Sequence, residues 1–151
     1  QGADVIGQHV DSPTPQIVAQ ERGVYGTGHH RDMSEFAPEA TVCSSVWVWD
    51  RFLAPELKKI MAGNWVPAEH GALLSMEQGG TDVSCCGKGI DEEEKAKIMA
   101  AREELLNGEK LIYAGPIADR DGNVKAAEGE ALSDAELWSM DWFVKGVITQ
   151  Q

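Results

Sequence analysis

Residues 23–33 read Gly-Val-Tyr-Gly-Thr-Gly-His-His-Arg-Asp-Met: a short apolar run that releases two imidazoles, a guanidinium and a carboxylate in succession. On residue type alone, His29, His30, Arg31 and Asp32 make a polar binding corner, a metal site or a solvated turn. Gly26 and Gly28 leave room for another part of the protein to come close to the backbone. A second set of such groups, His9, Asp11 and Ser12, stands earlier in the chain. If both sets met, His9, His29 and His30 with Asp11 could serve as metal ligands or acid–base groups of a small metal-dependent enzyme. The plainer alternative is a structural piece without a ligand, its histidines solvated and its tryptophans in the core.

Local pattern brings the two sets together. Residues 3–8 read as a buried parallel strand, and Ser12 or Thr14 can cap a helix running to about Arg22 with a proline in its first turn. Gly23 ends that helix and residues 24–28 form the next strand, which makes a β-α-β unit. Parallel strands end on the same edge, so His9–Ser12 and His29–Asp32 become neighbours. In open α/β sheets ligands bind outside the carboxyl ends of the strands.

Further along, 33–40 reads as a loop and 41–45 as a third strand. Residues 46–63 carry Trp47, Phe52, Leu53, Leu57, Ile60 and Met61 at helical spacing, with Pro55 inside the pattern as a kink or a restart. Trp47 and Trp49, near its start, are core residues or stacking surfaces for a ligand. Two short strands are expected at 72–76 and 81–85, and a helix from the cap at Asp91 to about Asn107. The string Cys86-Gly87-Lys88-Gly89 lacks the spacing of a phosphate loop. Asp121-Gly122 marks a hairpin, Ser133 and Glu136 have capping-box spacing, and 143–148 is expected to close a sheet.

Bulk composition narrows the function. A formal charge of −12 argues against a phosphate-binding surface, so no nucleic-acid partner is expected, and it argues against docking on anionic lipid. The apolar fraction of 42% is that of an ordinary globular domain, and no apolar run is long enough to span a bilayer. No signal-peptide pattern opens the chain, which reads as a mature form, a cytosolic protein or a piece of something longer. Cys43, Cys85 and Cys86 are an odd number with no zinc-ligand spacing, and free thiols are expected. No catalytic motif stands out, and neither enzymatic activity nor a cofactor is expected.

The ordered strings at 2–12, 23–33, 36–38, 115–124, 129–137 and 140–147 together resemble the basic membrane protein (BMP) family of substrate-binding lipoproteins of ABC importers. Many members bind purine nucleosides. The resemblance covers essentially the whole chain but only the C-terminal half of the family's length. It implies an α/β fold: the C-terminal portion of a type I periplasmic-binding-protein fold, with parallel sheets flanked by helices and parts of two lobes. Residues 1–45 would belong to the second lobe. Residues 46–110 would supply the crossover helix and segments of the first lobe and hinge, and 111–151 a C-terminal hairpin, helix and closing strand.

The resemblance also implies an extracytoplasmic or cell-surface location, with signal peptide and lipid-anchor cysteine outside this chain. An ABC permease would be the partner. A piece of such a protein leaves interfaces uncovered, so a homodimer is expected. In nucleoside-binding members an Asp that takes the ribose hydroxyls falls on His30, and a Lys falls on Trp47. A neutral imidazole makes one hydrogen bond per nitrogen and an indole offers a flat face, which suits a sugarless purine base better than a nucleoside. Asp11, Ser12 and His9 at the neighbouring strand end would also line the cleft, whereas Asp32 reads as a structural turn residue.

Overall fold

The computed structural model describes residues 2–148. In chain order the elements are β1 (Val5–Gly7), α1 (Thr14–Glu21), β2 (Tyr25–His30), β3 (Thr41–Trp47), α2 (Trp49–Met61), β4 (Thr81–Cys85), α3 (Glu92–Leu106), β5 (Ile117–Ala118), β6 (Val124–Ala126) and α4 (Asp134–Trp138). β1 to β4 form one sheet in that order. The β1–β2 and β2–β3 pairs are parallel and β4 returns antiparallel to β3. The architecture is therefore α/β, with a mixed, mostly parallel sheet. The chain divides into two compact units, one comprising residues up to 67 with 74–107, the other 68–73 with the stretch from 108 onward.

In the first unit, α1 turns Gln16 and Ala19 inward against β2. Ala19, Ala37 and Ala40 form the buried cluster, with Ile6 and Val24 packed around it. Small residues dominate, so strand, helix and the 33–40 segment approach closely. That segment, expected as a loop, contains a 3₁₀ turn at Met33–Glu35. Asp32 starts it, its Oδ1 accepting the Ser34 N–H at 2.9 Å. Burial pushes the Asp32 carboxyl up, but hydrogen bonds from Ser34 and Ser84 and the charge of Arg31 outweigh it, leaving the pKa below its ordinary value.

At the far edge, α3 is capped by Asp91, which accepts the Glu94 N–H. It is held to β4 by a fork: Arg102 Nε and Nη2 donate to Asp82 at 2.6 and 2.7 Å. This two-point contact holds the Asp82 carboxyl below its usual range. Pro55 lies inside α2, which continues through it as one helix. The apolar run at 72–76 pairs with no strand, whereas 81–85 does. Cys85 and Cys86 are joined as a vicinal disulfide, correcting the expectation of free thiols, and Cys43 alone is free.

In the second unit β5 and β6 pair across the Asp-Gly turn, Gly122 taking φ +90°. The capping box at Ser133 and Glu136 is formed. The closing strand expected at 143–148 reduces to a single bridge between Asp119 and Val144. Asp119 organises the turn. It accepts the N–H groups of Asp121 and Asn123 at 3.0 and 2.8 Å and the Asn123 side-chain amide at 2.9 Å, and it pairs with Lys125. The Asn123 amide leads in lowering its pKa from 3.8 to about 2, against the opposing effect of burial.

A carboxyl depressed on folding contributes stability above its unfolded value and loses it as pH falls through its folded value. We therefore expect Asp119→Ala to lower the melting temperature near neutrality relative to Asp121→Ala. That gap should close as pH falls from 3.8 through about 2. Thermal scans of both variants across that range check this; a gap unchanged at acid pH would mean that Asp119 acts without its charge.

Candidate ligand-binding site

The parallel register places Gly7 opposite Thr27 and His29 opposite Ser45, so the carboxyl ends of β1, β2 and β3 lie side by side. Rings gather there. His9 lies against His29 with centroids 4.3 Å apart, and His29 meets the edge of Trp47 at 5.8 Å. Trp47 lies 6.2 Å from Trp49, and Trp49 lies 6.3 Å from His30. Five aromatic or imidazole rings thus run continuously along the strand ends. The His29 Nδ1 is 3.2 Å from the Ser45 hydroxyl, which fixes the ring's tilt.

His30 occupies the last position of β2 with φ +75°, one of two positive-φ non-glycine residues among the described residues. Such a backbone is uncommon outside glycine, although histidine is among the residues that tolerate it, and it clusters at functional sites. Trp47 is 44% exposed and Trp49 53% exposed, so neither is a core residue.

The other candidates divide. Ser12 is engaged locally: its hydroxyl donates to Thr14 Oγ1 at 2.9 Å and accepts the Thr14 N–H at 3.3 Å. The N-cap of α1 is Pro13, with no side-chain cap hydrogen bond, which corrects the expectation of a Ser12 or Thr14 cap. Asp11 stands exposed in the loop after β1. Arg31 turns away, paired with Glu35 and lying over the Phe36 ring at 5.1 Å. Of the three imidazoles, His9 and His29 are in contact, and His30 joins the rings only through Trp49. Among the described residues no group of three or more His, Cys, Asp or Glu side chains could hold a metal ion. Ser45, which the sequence reading missed, is detectable only through the register that sets it beside His29.

The glycines serve packing. A Cβ on Gly26 would fall on the buried Gln16 amide, and one on Gly28 would fall on Ser44 and Met33. Gly87 and Gly89 lie against the backbones of Pro38, Thr41 and Glu39, where no side chain fits. The string around Lys88 is therefore a packing surface. The ring cluster is an open face; hollows of about 230 and 290 Å³ lie in the second unit, both touching Asp141 and Trp142 and neither lined by these rings.

Known proteins agree with this fold. No family model matches the chain. A Haloferax volcanii protein named as an ABC transporter glucose-binding protein is 34% identical over 149 residues, covering 97% of this chain. A purine-binding protein of Brucella abortus is 30% identical over 148 residues, again 97% of the chain. The chain is homologous to a segment of solute-binding proteins.

The chain spans 34% of the length of the first relative and 41% of the second. A transcriptional activator of the comK gene from Bacillus halodurans shares the fold at TM-score 0.60 and 14% identity, over 72% of this chain and 38% of that one. That likeness concerns fold alone. The resemblance read from the sequence thus meets relatives named as binding proteins, and the mixed, mostly parallel α/β sheet is consistent with a partial periplasmic-binding-protein fold. Both sequence relatives carry binding-protein names rather than enzyme names. Among the described residues no helix is long and apolar enough to cross a membrane.

Proposed function

We propose that this chain belongs to the extracytoplasmic solute-binding component of an ABC importer of the BMP lipoprotein type, and that its ring cluster holds a purine base or nucleoside in the interlobe cleft. The observation that carries the reading is the continuous run of half-exposed rings, His9, His29, Trp47, Trp49 and His30, at the carboxyl ends of three strands. Flat heteroaromatic ligands stack on such surfaces, at about 1–3 kcal/mol per base–ring contact. Imidazole nitrogens supply single donors or acceptors that match the ring nitrogens and exocyclic groups of a base. The protein itself carries out no chemistry, and its partner is a permease that takes up the released ligand.

A name among the relatives mentions glucose. Sugar hydroxyls are best taken by carboxylates, which accept several bonds at once. The polar groups beside the rings are imidazoles and the Ser45 hydroxyl; Asp11 is the carboxylate expected to line the cleft, and Asp32 is engaged by the Ser34 N–H. We therefore expect calorimetric titration of this chain to rank adenine above adenosine and adenosine above glucose. Saturable heat with glucose and none with either purine would refute the purine assignment.

The same chain is proposed to self-associate. Trp49, Leu53, Leu57 and Ile60 recur along α2 and are each about half exposed, and β1 leaves a sheet edge open. Sedimentation velocity over a dilution series should show a concentration-dependent dimer; a compact monomer at every concentration would refute this.

A further inference from the structure

Three cysteines share one end of the β3–β4 ladder. In the antiparallel register Cys43 lies directly opposite Cys85, and Cys86 follows Cys85 in the chain. Residues directly opposite in an antiparallel pair project from the same face of the sheet, with Cα atoms about 4.5 or 5.5 Å apart. Both separations fall in the range that a disulfide spans, about 4.4–6.8 Å. Cys85 is bonded to Cys86, while Cys43 keeps its thiol. All three residues are half-buried, so small reagents can reach them.

We propose that Cys43, Cys85 and Cys86 form one thiol–disulfide exchange unit, in which the bridge moves from the vicinal Cys85–Cys86 pair to a cross-strand Cys43–Cys85 pair. The Cys43 thiolate attacks the Cys85 Sγ. The Cys43–Cys85 S–S bond forms as the Cys85–Cys86 bond breaks, and Cys86 leaves as a thiolate that takes up the proton Cys43 gave up. No electrons enter or leave, so no external oxidant or reductant is consumed. Burial pushes the Cys43 thiol up, which makes the exchange slow near neutrality without forbidding it. The product adds a covalent tie to two hydrogen-bonded strands whose covalent connection otherwise runs through the long segment carrying α2. It fixes the ladder whose other end pairs Trp47 with Thr81, so it bears on the ring cluster. Disulfides persist in oxidising, extracytoplasmic compartments, where the proposed function places the protein. The exchange itself depends on the β3–β4 register, the Cys85–Cys86 bond and the free Cys43 thiol, and not on any ligand.

The test uses the full chain purified without reductant and incubated at mildly alkaline pH. It is then quenched in acid, alkylated with N-ethylmaleimide under denaturing conditions and digested with trypsin. Cleavage at Arg51 and beyond separates the Cys43 peptide from the one carrying Cys85 and Cys86. The expected result is a cross-linked pair of these peptides with the alkyl group on Cys86, increasing over time. Label confined to Cys43 at all times, or on all three cysteines, would overturn the proposal.

A second chain, Cys86→Ser, removes the competing sulfur. With oxidised glutathione it should give an intramolecular Cys43–Cys85 bridge and a higher melting temperature than its reduced form. Glutathione adducts on both cysteines without a bridge would overturn the proposal independently of any ligand binding.

Discussion

Replacing Trp47 by alanine is expected to weaken adenine binding by between about fivefold and about a hundredfold while leaving the unfolding transition nearly unchanged. The range is the affinity equivalent of about 1–3 kcal/mol for one base–aromatic stack. Sparing of stability follows from exposure: Trp47 is 44% accessible at the end of β3 and touches other rings by edge and tilt. Truncating a buried tryptophan costs about 3–5 kcal/mol, and Trp47 lacks the enclosure that produces such a loss. Trp47→Phe should retain most of the affinity, because it keeps a flat face and gives up only the indole donor. Paired titration and urea unfolding decide the matter. A large fall in stability with unchanged adenine affinity would return Trp47 to a packing role.

Gly28→Val should destabilise the first unit strongly and lower its melting temperature well below that of the parent. Gly28 is buried within β2, and a Cβ there would occupy the space of the Ser44 hydroxyl and the Met33 side chain. Met33 is 2% exposed and Ser44 0%, so neither can move outward. Ser44 Oγ also accepts the Met33 N–H at 3.0 Å, and that bond would be broken in the interior. Overpacking costs about 1–3 kcal/mol and an orphaned buried donor about 1–3 kcal/mol more. Such a sum is a large share of the roughly 5–15 kcal/mol available to a domain.

Gly26→Ala is the milder companion, because it meets the Gln16 side-chain amide. Circular dichroism with thermal unfolding reads both variants. A Gly28→Val chain that melts like the parent would mean that the 33–40 segment can back away from β2.

These two substitutions separate what sequence could convey from what it could not. The glycines of residues 23–33 announced a close approach, and the β-α-β reading correctly set His9 beside His29, because parallel pairing leaves no other arrangement. What approaches was not legible: Gln16, Ser44 and Met33 come from three different segments. The run at 72–76 looked like a strand because it is short and apolar, yet pairing depends on a neighbour that no local pattern specifies. At 143–148 the chain makes one bridge, and Gly146 at φ +101° turns it away from extended structure.

Caps and turns were legible because their chemistry is local. Asp91, Ser133 with Glu136, and Asp121-Gly122 each satisfy their own backbone within a few residues. Trp47 and Trp49 illustrate the opposite limit. An indole near a helix start is equally at home in a core or on a surface, and only the structure assigns it. That His29 meets His9 and Trp47 while His30 meets Trp49 likewise needed coordinates.

Native mass spectrometry of the purified chain, with adenine and then glucose added in turn, tests the central claim most directly. The reading advanced here predicts a mass increment of one adenine per chain, or per dimer, and no stable glucose adduct. A spectrum that stays free of adenine at saturating concentration while glucose adds stoichiometrically would contradict it.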